Sequence, residues 1–522
     1  MDSTHRHILR LSRRGALRGA LGLAALAALP PARGQTVGGD PFALGVASGD
    51  PWPDGFVIWT RLATAPLAPG GGMPAVPVEV AWEVAADERF ATVLRAGTTL
   101  ARPEAAHAVH VEVGGLEPGR PYAYRFRALG QVSRAGRSRT APAPGAAPAR
   151  IRLVNAGCQY YEHGYFTAWR HIAAEADLDL VFHYGDYIYE FSQATAGNRR
   201  WGTLVRHHEG GLAVTLDAYR QRHAQYRMDP DLQAAHAAHP FAVSFDDHEV
   251  ENNWAGPFSE HDGGARFPVA TPPHLFALRK AAAFQAWFEH MPVRAAARPR
   301  GPEITAYRRL RFGQLVQVQV LDTRSFRDDQ PCGDRGGQPC AAVLRPDAQM
   351  LGPAQEAWAL EGLAQPAAWQ VVAQQVPVMP HVSPSGSISM DKWDAYPAAR
   401  ARLLEGIAAR RANAVVLAGD VHQARAGALR HEDRAVATEF VGTSISSEGD
   451  GADLPRNAEA MRAANPHLAF LHGRRGYTLH DFTPGRMTAS FRALDAVSSP
   501  GAAEREAGRF VVEAGRPEVT PA

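Results

Sequence analysis

Phe241-Ala242-Val243-Ser244-Phe245-Asp246-Asp247-His248-Glu249 sets a short apolar run directly against carboxylates and an imidazole. The same arrangement recurs three more times. Ile151–Ala156 runs into Gly157-Cys158, and Leu178–Tyr184 runs into Gly185-Asp186-Tyr187-Ile188-Tyr189-Glu190. Ala414–Ala418 runs into Gly419-Asp420-Val421-His422. In α/β sheets ligands gather beyond the carboxyl ends of the strands, so the four tips are expected to converge on one site. One Gly-Asp after a strand is a common turn. Four tips that all carry metal-ligand side chains are a much stronger signal.

Taken singly, each residue has an ordinary explanation. Asp186 can cap a helix, Tyr189 can be a packed aromatic, and Cys158 can be a small buried hydrophobe. Asp246 and Asp247 can form a solvated turn. Asp420 and His422, two apart at a strand end, project from the same face. Chance convergence of the whole set is the weaker explanation.

Around these tips the texture is α/β. Strand-like runs alternate with helical spacing over Tyr165–Ala176, Leu275–His290 and Ala399–Ala412. Upstream, Gly55–Thr60, Val78–Val84, Val93–Leu100, His107–Val113 and Tyr122–Leu129 are separated by Gly/Pro turns, as in a small antiparallel sandwich. Leu116-Glu117-Pro118-Gly119 before Tyr122 reads as the tyrosine corner of immunoglobulin-like domains. A chain of 522 residues is too long for one ordinary core. The expected division is 1–34 as an export signal, 35–140 as the β-sandwich, 150–498 as the catalytic domain and 499–522 as a loosely held tail, with Thr140–Ala149 as a linker.

Ser12-Arg13-Arg14-Gly15, then a weakly apolar stretch to Leu29 and the small residues Ala32 and Gly34, form a secretory pattern. The apolar stretch is shorter than the roughly 20 residues that span a bilayer. The paired arginines resemble a twin-arginine signal, with Ala16 where a Phe often stands. The expectation is a bacterial periplasmic or secreted protein whose partner during export is the twin-arginine translocase. Of three cysteines, Cys332 and Cys340 share a Gly/Pro-rich loop and are expected to pair outside the cytoplasm. Cys158 is left over, and metal ligation is one reason for it. A net charge of +2, with no basic run and no aromatic stacking motif, excludes a stable nucleic-acid partner.

Gly45-Val46-Ala47-Ser48-Gly49-Asp50-Pro51, Asp246-Asp247-His248-Glu249-Val250-Glu251-Asn252-Asn253-Trp254 and Glu439-Phe440-Val441-Gly442-Thr443-Ser444-Ile445-Ser446-Ser447 make the resemblance specific. With Gly-Asp-x-x-Tyr and Gly-Asp-Val-His they resemble the metallophosphoesterase superfamily and, within it, the PhoD-like alkaline phosphatases, over nearly the whole mature chain. The resemblance implies an αββα sandwich of two sheets flanked by helices. It implies ferric iron held by Cys158, Asp186, Tyr189 and His422, with Asp186 bridging to a second cation. Asp247 and Asp420 stand where purple acid phosphatases carry Asn and His. That makes the second site richer in oxygen and favours calcium.

The chemistry implied is hydrolysis of phosphate esters by a hydroxide that the metals generate. His248 is the candidate catalytic residue, orienting the phosphate or assisting the leaving group, unless it is a solvent-facing turn histidine. Arg220 and Arg222 are candidate phosphate donors, unless they lie on a solvated helix face. Asn252 and Asn253 are further donors, with Asn253 preferred. His207, His208 and His223 are not counted as ligands. Expected substrates are small phosphate monoesters or diesters, with phospholipid or nucleotide-derived diesters as further classes. The alternatives are a phospholipase D-type phosphodiesterase and a non-enzymatic exported binding protein.

Overall fold

The computed structural model describes residues 38–193, 204–264, 267–333, 336–410 and 413–522. The segment 1–34, read as an export signal, lies outside the described residues. So do 199–203 of the Gly/His-rich stretch before Gly211.

Two large sheets stack face to face with helices on both outer surfaces. One is ten-stranded. At its centre Ile151–Ala156, Leu180–His183 and Pro240–Val243 run parallel as neighbours. The other is seven-stranded, with Val316–Val320, Trp369–Ala373, Ala414–Ala418 and Arg434–Val441 parallel in succession. Between them lies a core that includes Leu153, Phe182, Val318, Val371, Leu417 and Phe491. The outer face of the first sheet packs Trp169, Leu232, Phe284 and Trp287 of the helices Thr167–Ala174, Pro230–Ala238 and Pro273–His290. The outer face of the second packs Leu363, Leu403 and Ile407 of Gly352–Leu363 and Pro397–Arg410. The architecture is therefore αββα.

Both faces of the central strands are covered, which is why their sequences read as near-continuous apolar runs. Val316–Val320 shows how an alternating strand manages the same burial. Its valines enter the inter-sheet core, while Gln317 turns to the helix side and its Nε2 donates to the Gly362 carbonyl (2.8 Å).

The N-terminal sandwich is present, but it is not a separate body. Val46–Trp52 pairs parallel with Pro240–Val243, so Val46–Trp52, Gly55–Arg61 and Ala108–Val113 form the far end of the ten-stranded sheet. The second layer of the sandwich is a five-stranded sheet that includes Val78–Ala85, Val93–Ala101 and Pro121–Ala128. Its tyrosine corner is closed. Tyr122 Oη donates to the Glu117 carbonyl (3.1 Å) and accepts from the Glu117 N–H (2.9 Å).

The expectation of a loose tail over 499–522 is corrected. Glu504–Glu513 and Arg516–Pro521 extend the other end of the same sheet, with Phe510 and Val512 buried in the inter-sheet core. Polar and Pro-containing composition hid an edge strand, which is where such residues are tolerated. Cys332 and Cys340 are joined in a disulfide, and Cys158 is free and buried.

Candidate metal centre

Cys158, Asp186 and Asp246–His248 follow three adjacent strands of the first sheet, and Asp420 and His422 follow a strand of the second. All four tips meet at one edge of the sandwich. Cys158, Asp186, Asp420 and His422 have positive φ, from 52° to 67°, so each strand ends abruptly and turns its side chain across the tip. The glycines before them have a packing reason. A Cβ at Gly157 or Gly419 would fall 2.4 or 2.2 Å from the ring of Tyr184, which is wedged beneath the site.

A ligand atom from each of Cys158, Asp186 and His422 lies within 4.8 Å of the other two. The Tyr189 hydroxyl joins them, 2.8 Å from Asp186 Oδ2 and 3.3 Å from His422 Nε2. Two further groups satisfy the same 4.8 Å spacing, Asp186 with Asp247 and His248, and Asp246 with Asp247 and Asp420. Asp186 thus stands between a half made of sulfur, phenol and imidazole and a half made of carboxylates.

The donors fit cations. Asp186 Oδ1 is buried without a hydrogen-bond partner. Burial, with Asp186 and Asp420 adding to it, pushes the Cys158 thiol well above its ordinary pKa. Burial does the same to the Tyr189 phenol and the Asp186 carboxyl. Asp246 is raised to about 7, by burial first, in spite of Arg324. Asp247 moves the other way, because Arg324 and His248 outweigh its burial. Groups held protonated by burial ionise once a cation joins them, so a metal here would be bound with release of protons.

His248 lines a cleft of about 580 Å³ at this edge, together with Tyr160, Tyr189, Phe191, Leu212, Phe267 and Asn252. Its Nδ1 pairs with Glu190 Oε2 (2.8 Å) and its ring lies 4.1 Å from that of Tyr189. Burial would lower its pKa, but Asp247, Glu190 and Asp186 outweigh that and raise it well above 6.5. His248 is therefore not a solvent-facing turn residue.

Of the predicted phosphate donors, neither arginine reaches the cleft. Arg220 makes a two-point pair with Glu289 (2.7 and 2.6 Å), clamping two helices. Arg222 donates to the carbonyls of Tyr189, Phe191 (3.2 Å) and Gly211 (2.8 Å) from behind the loop. Asn252 does line the cleft, with Nδ2 donating to Glu260 Oε1 (2.8 Å). Asn253, the preferred donor, acts through its backbone, whose N–H donates to Asp247 Oδ2 (2.8 Å).

Several contributors were not assigned from sequence. Glu249 accepts from the N–H groups of Tyr187 (2.5 Å) and Asp246 (2.9 Å), locking two tips together. Glu448 Oε1 lies 3.4 Å from His422 Nδ1. Ser447 Oγ bridges the Tyr189 hydroxyl (2.7 Å) and the Cys158 carbonyl (2.8 Å). Arg324, fully buried, joins Asp246 (2.5 Å) to Asp391 (2.7 and 2.9 Å). It follows the strand Val316–Val320, so the strand-end logic that found the other tips also points to it. Lys392 contacts Asp420, and no sequence signal marks it.

A two-sheet αββα sandwich with ligand-type donors at the strand tips of both sheets has the architecture of a metallophosphoesterase. The chain belongs to the PhoD-like phosphatase family: residues 153–491 match the PhoD-like phosphatase, and 27–142 match its N-terminal domain. Alkaline phosphatase D of Bacillus subtilis (strain 168) is 44% identical over 487 residues, covering 91% of this chain and 81% of the relative. A solved structure of PhoD, 43% identical, superposes with a TM-score of 0.87 over 93% of this chain and 92% of the other. Purple acid phosphatase PPD1 from yellow lupin (Lupinus luteus) seeds shares the fold, at 13% identity and a TM-score of 0.53, over 90% of this chain and 73% of the other. The chain is accordingly a phosphoester hydrolase.

Proposed function

We propose that this phosphoesterase uses ferric iron and calcium, acts on phosphate monoesters and diesters, and works in the periplasm or outside the cell after twin-arginine export. The observation that carries the metal assignment is the chemical split of the donors. Cys158, Tyr189 and His422, with Asp186, would hold the iron, since thiolate, phenolate and imidazole suit a transition metal. Asp186, Asp247 and Asp420 would hold calcium, a hard cation that prefers oxygen. When bound, the cations supply an acidified water and neutralise charge on the phosphoryl oxygens.

The chain's own residues do the rest. Glu190 orients the His248 ring through Nδ1 and favours its protonated form, which leaves the Nε2–H of the imidazolium to donate a proton to the leaving-group oxygen. Glu249 and Arg324 hold the carboxylate tips in place. Export rests on the paired arginines and apolar stretch of the N-terminal sequence.

A lipid diester is a second reading, supported by the apolar wall of Phe191, Leu212 and Phe267 beside His248. Rates on a nitrophenyl monoester, a bis-nitrophenyl diester and phosphatidylcholine vesicles separate the three classes.

The test of the metal assignment is the visible spectrum and elemental content of the protein from its export route. A tyrosinate-to-iron(III) band, about one iron per chain and bound calcium are expected, and Tyr189→Phe should abolish the band while leaving the protein folded. Colourless protein that works with zinc or manganese alone would keep the reaction class and remove the roles given to Tyr189 and Cys158.

A further inference from the structure

The acidic half of the centre contains a cation of its own. Lys392 follows Asp391, and its Nζ is 3.2 Å from Asp391 Oδ2 and in direct ion contact with Asp420 Oδ2. That second contact lacks the direction of a hydrogen bond. Asp391 is already neutralised. Arg324 grips it at two points and Arg327 at a third, and Gln330 Nε2 donates to it (3.0 Å). The lysine's charge therefore falls mainly on Asp420. The mount is firm, since Lys392 precedes the 3-10 helix Trp393–Ala395, whose three residues are all buried. Asp420 is also one of the three carboxylates, with Asp246 and Asp247, whose oxygens lie within 4.8 Å of one another.

Resting on the reading of this half as a calcium site, we infer that Lys392 is a tethered competitor for the divalent cation on Asp420, and that its ammonium sets how tightly the acidic half holds calcium. Calcium needs six to eight oxygens, so an ammonium on one carboxylate removes a ligand position. It would also set a like charge against any cation that Asp420 holds, and such repulsion is large in a partly buried site. Arg324, which shares Asp391 with Lys392, cannot substitute for it. Its guanidinium is committed to Asp246, Asp391 and Asp247 and has no contact with Asp420. A purely structural lysine would behave differently, because removing it would weaken the fold and leave calcium affinity unchanged.

The test is calcium titration by calorimetry, with elemental analysis, on the full iron-loaded chain dialysed against a calcium chelator. Lys392→Met, which keeps the stem and removes the charge, should half-saturate at a free calcium concentration at least about tenfold lower than the parent chain. Lys392→Arg should stay within about threefold of the parent. Lys392→Gln offers Asp391 a polar head in case the methionine variant folds poorly, and it should shift in the same direction as methionine. Equal or weaker calcium binding by the neutral variants would overturn the role given to Lys392 while leaving the calcium site standing. Absence of stoichiometric calcium from parent and variants alike would sink the calcium reading and this inference together.

Discussion

Replacing Arg222 with methionine separates two roles for an arginine that sequence alone offers as a phosphate donor. Its guanidinium is buried and donates to the carbonyls of Tyr189, Phe191 and Gly211. The first two flank Glu190, the partner of His248. Methionine keeps the volume of the stem and takes the arginine from the Tyr189 and Gly211 carbonyls, while the Phe191 carbonyl still accepts from the Tyr160 hydroxyl (3.4 Å). An orphaned buried acceptor costs about 1–3 kcal/mol, and relief of the buried charge returns part of this, so a net loss of ~2–4 kcal/mol is expected. Unfolding entropy near 2.1 cal/mol/K per residue makes a chain of 522 residues respond by about 1 °C per kcal/mol. Arg222→Met should therefore melt ~2–4 °C lower and lose kcat as the Tyr189–Glu190 segment loosens. KM for a small monoester and the inhibition constant of inorganic phosphate should change less than about threefold. Scanning calorimetry and steady-state kinetics read all three. An unchanged melting point with KM and the phosphate constant both raised tenfold or more would show that Arg222 binds phosphate, and would refute the reasoning.

Glu190→Gln keeps the shape of the partner of His248 and removes its charge, so kcat on a poor leaving group should fall about 10–100-fold. KM should hardly move, and an activated nitrophenyl leaving group should lose much less. An equal loss on both substrates would place Glu190 outside proton delivery. Acid should destabilise the fold through buried neutral histidines. Burial lowers His480, between the sheets, to about 3, and His183 likewise. The folded pKa lies below the unfolded value of about 6.5, so this contribution is complete above pH 6.5 and is lost as pH falls towards 3. His480→Leu removes close to one proton from the uptake on unfolding at pH 5. The acid limb of its stability curve should be shallower by about 1.4 kcal/mol per pH unit, and parallel limbs would refute the assignment.

What the sequence made legible was whatever depended on local order along the chain. Each of Cys158, Asp186, Asp247 and Asp420 sits two residues beyond an apolar run, and such a run followed by Gly or Asp fixes both a strand and the place where it stops. The helices Thr167–Ala174, Pro273–His290 and Pro397–Arg410 fall within about two residues of their expected bounds. What depended on partners distant in sequence was not legible. Helical spacing puts Arg220 and Arg222 on a helix but cannot say that Glu289 or the carbonyls of another loop will meet them. Val46–Trp52 looks like any sandwich strand, and only its pairing with Pro240–Val243 joins the N-terminal layer to the catalytic sheet. Asp391 and Lys392 arrive from an irregular Ser/Gly stretch, in which periodicity carries no information.

The left-handed backbone of the tips ties the centre to the rest of the fold. Cys158, Asp186, Asp420 and His422 are all non-glycine residues at positive φ, each at ~1–2 kcal/mol above an ordinary conformation. Residues persist in such conformations only where their surroundings over-determine them, and those surroundings can be named. The Tyr184 ring fills the space that side chains at Gly157 and Gly419 would occupy, and its hydroxyl donates to the Thr443 carbonyl on the second sheet. Asn155 Nδ2 donates to the Ala418 carbonyl (3.0 Å), again from one sheet to the other. Glu249 fastens the tips at Tyr187 and Asp246. These ties cross between sheets or between strands and none of them involves a ligand atom of the centre, so the donors are ordered by packing before any cation arrives. A cation entering such a site need not order its ligands, and its binding energy is left for the difference between protonated and ionised donors. That difference is why the thiol, phenol and carboxyl can remain protonated in a buried cluster and still form one centre.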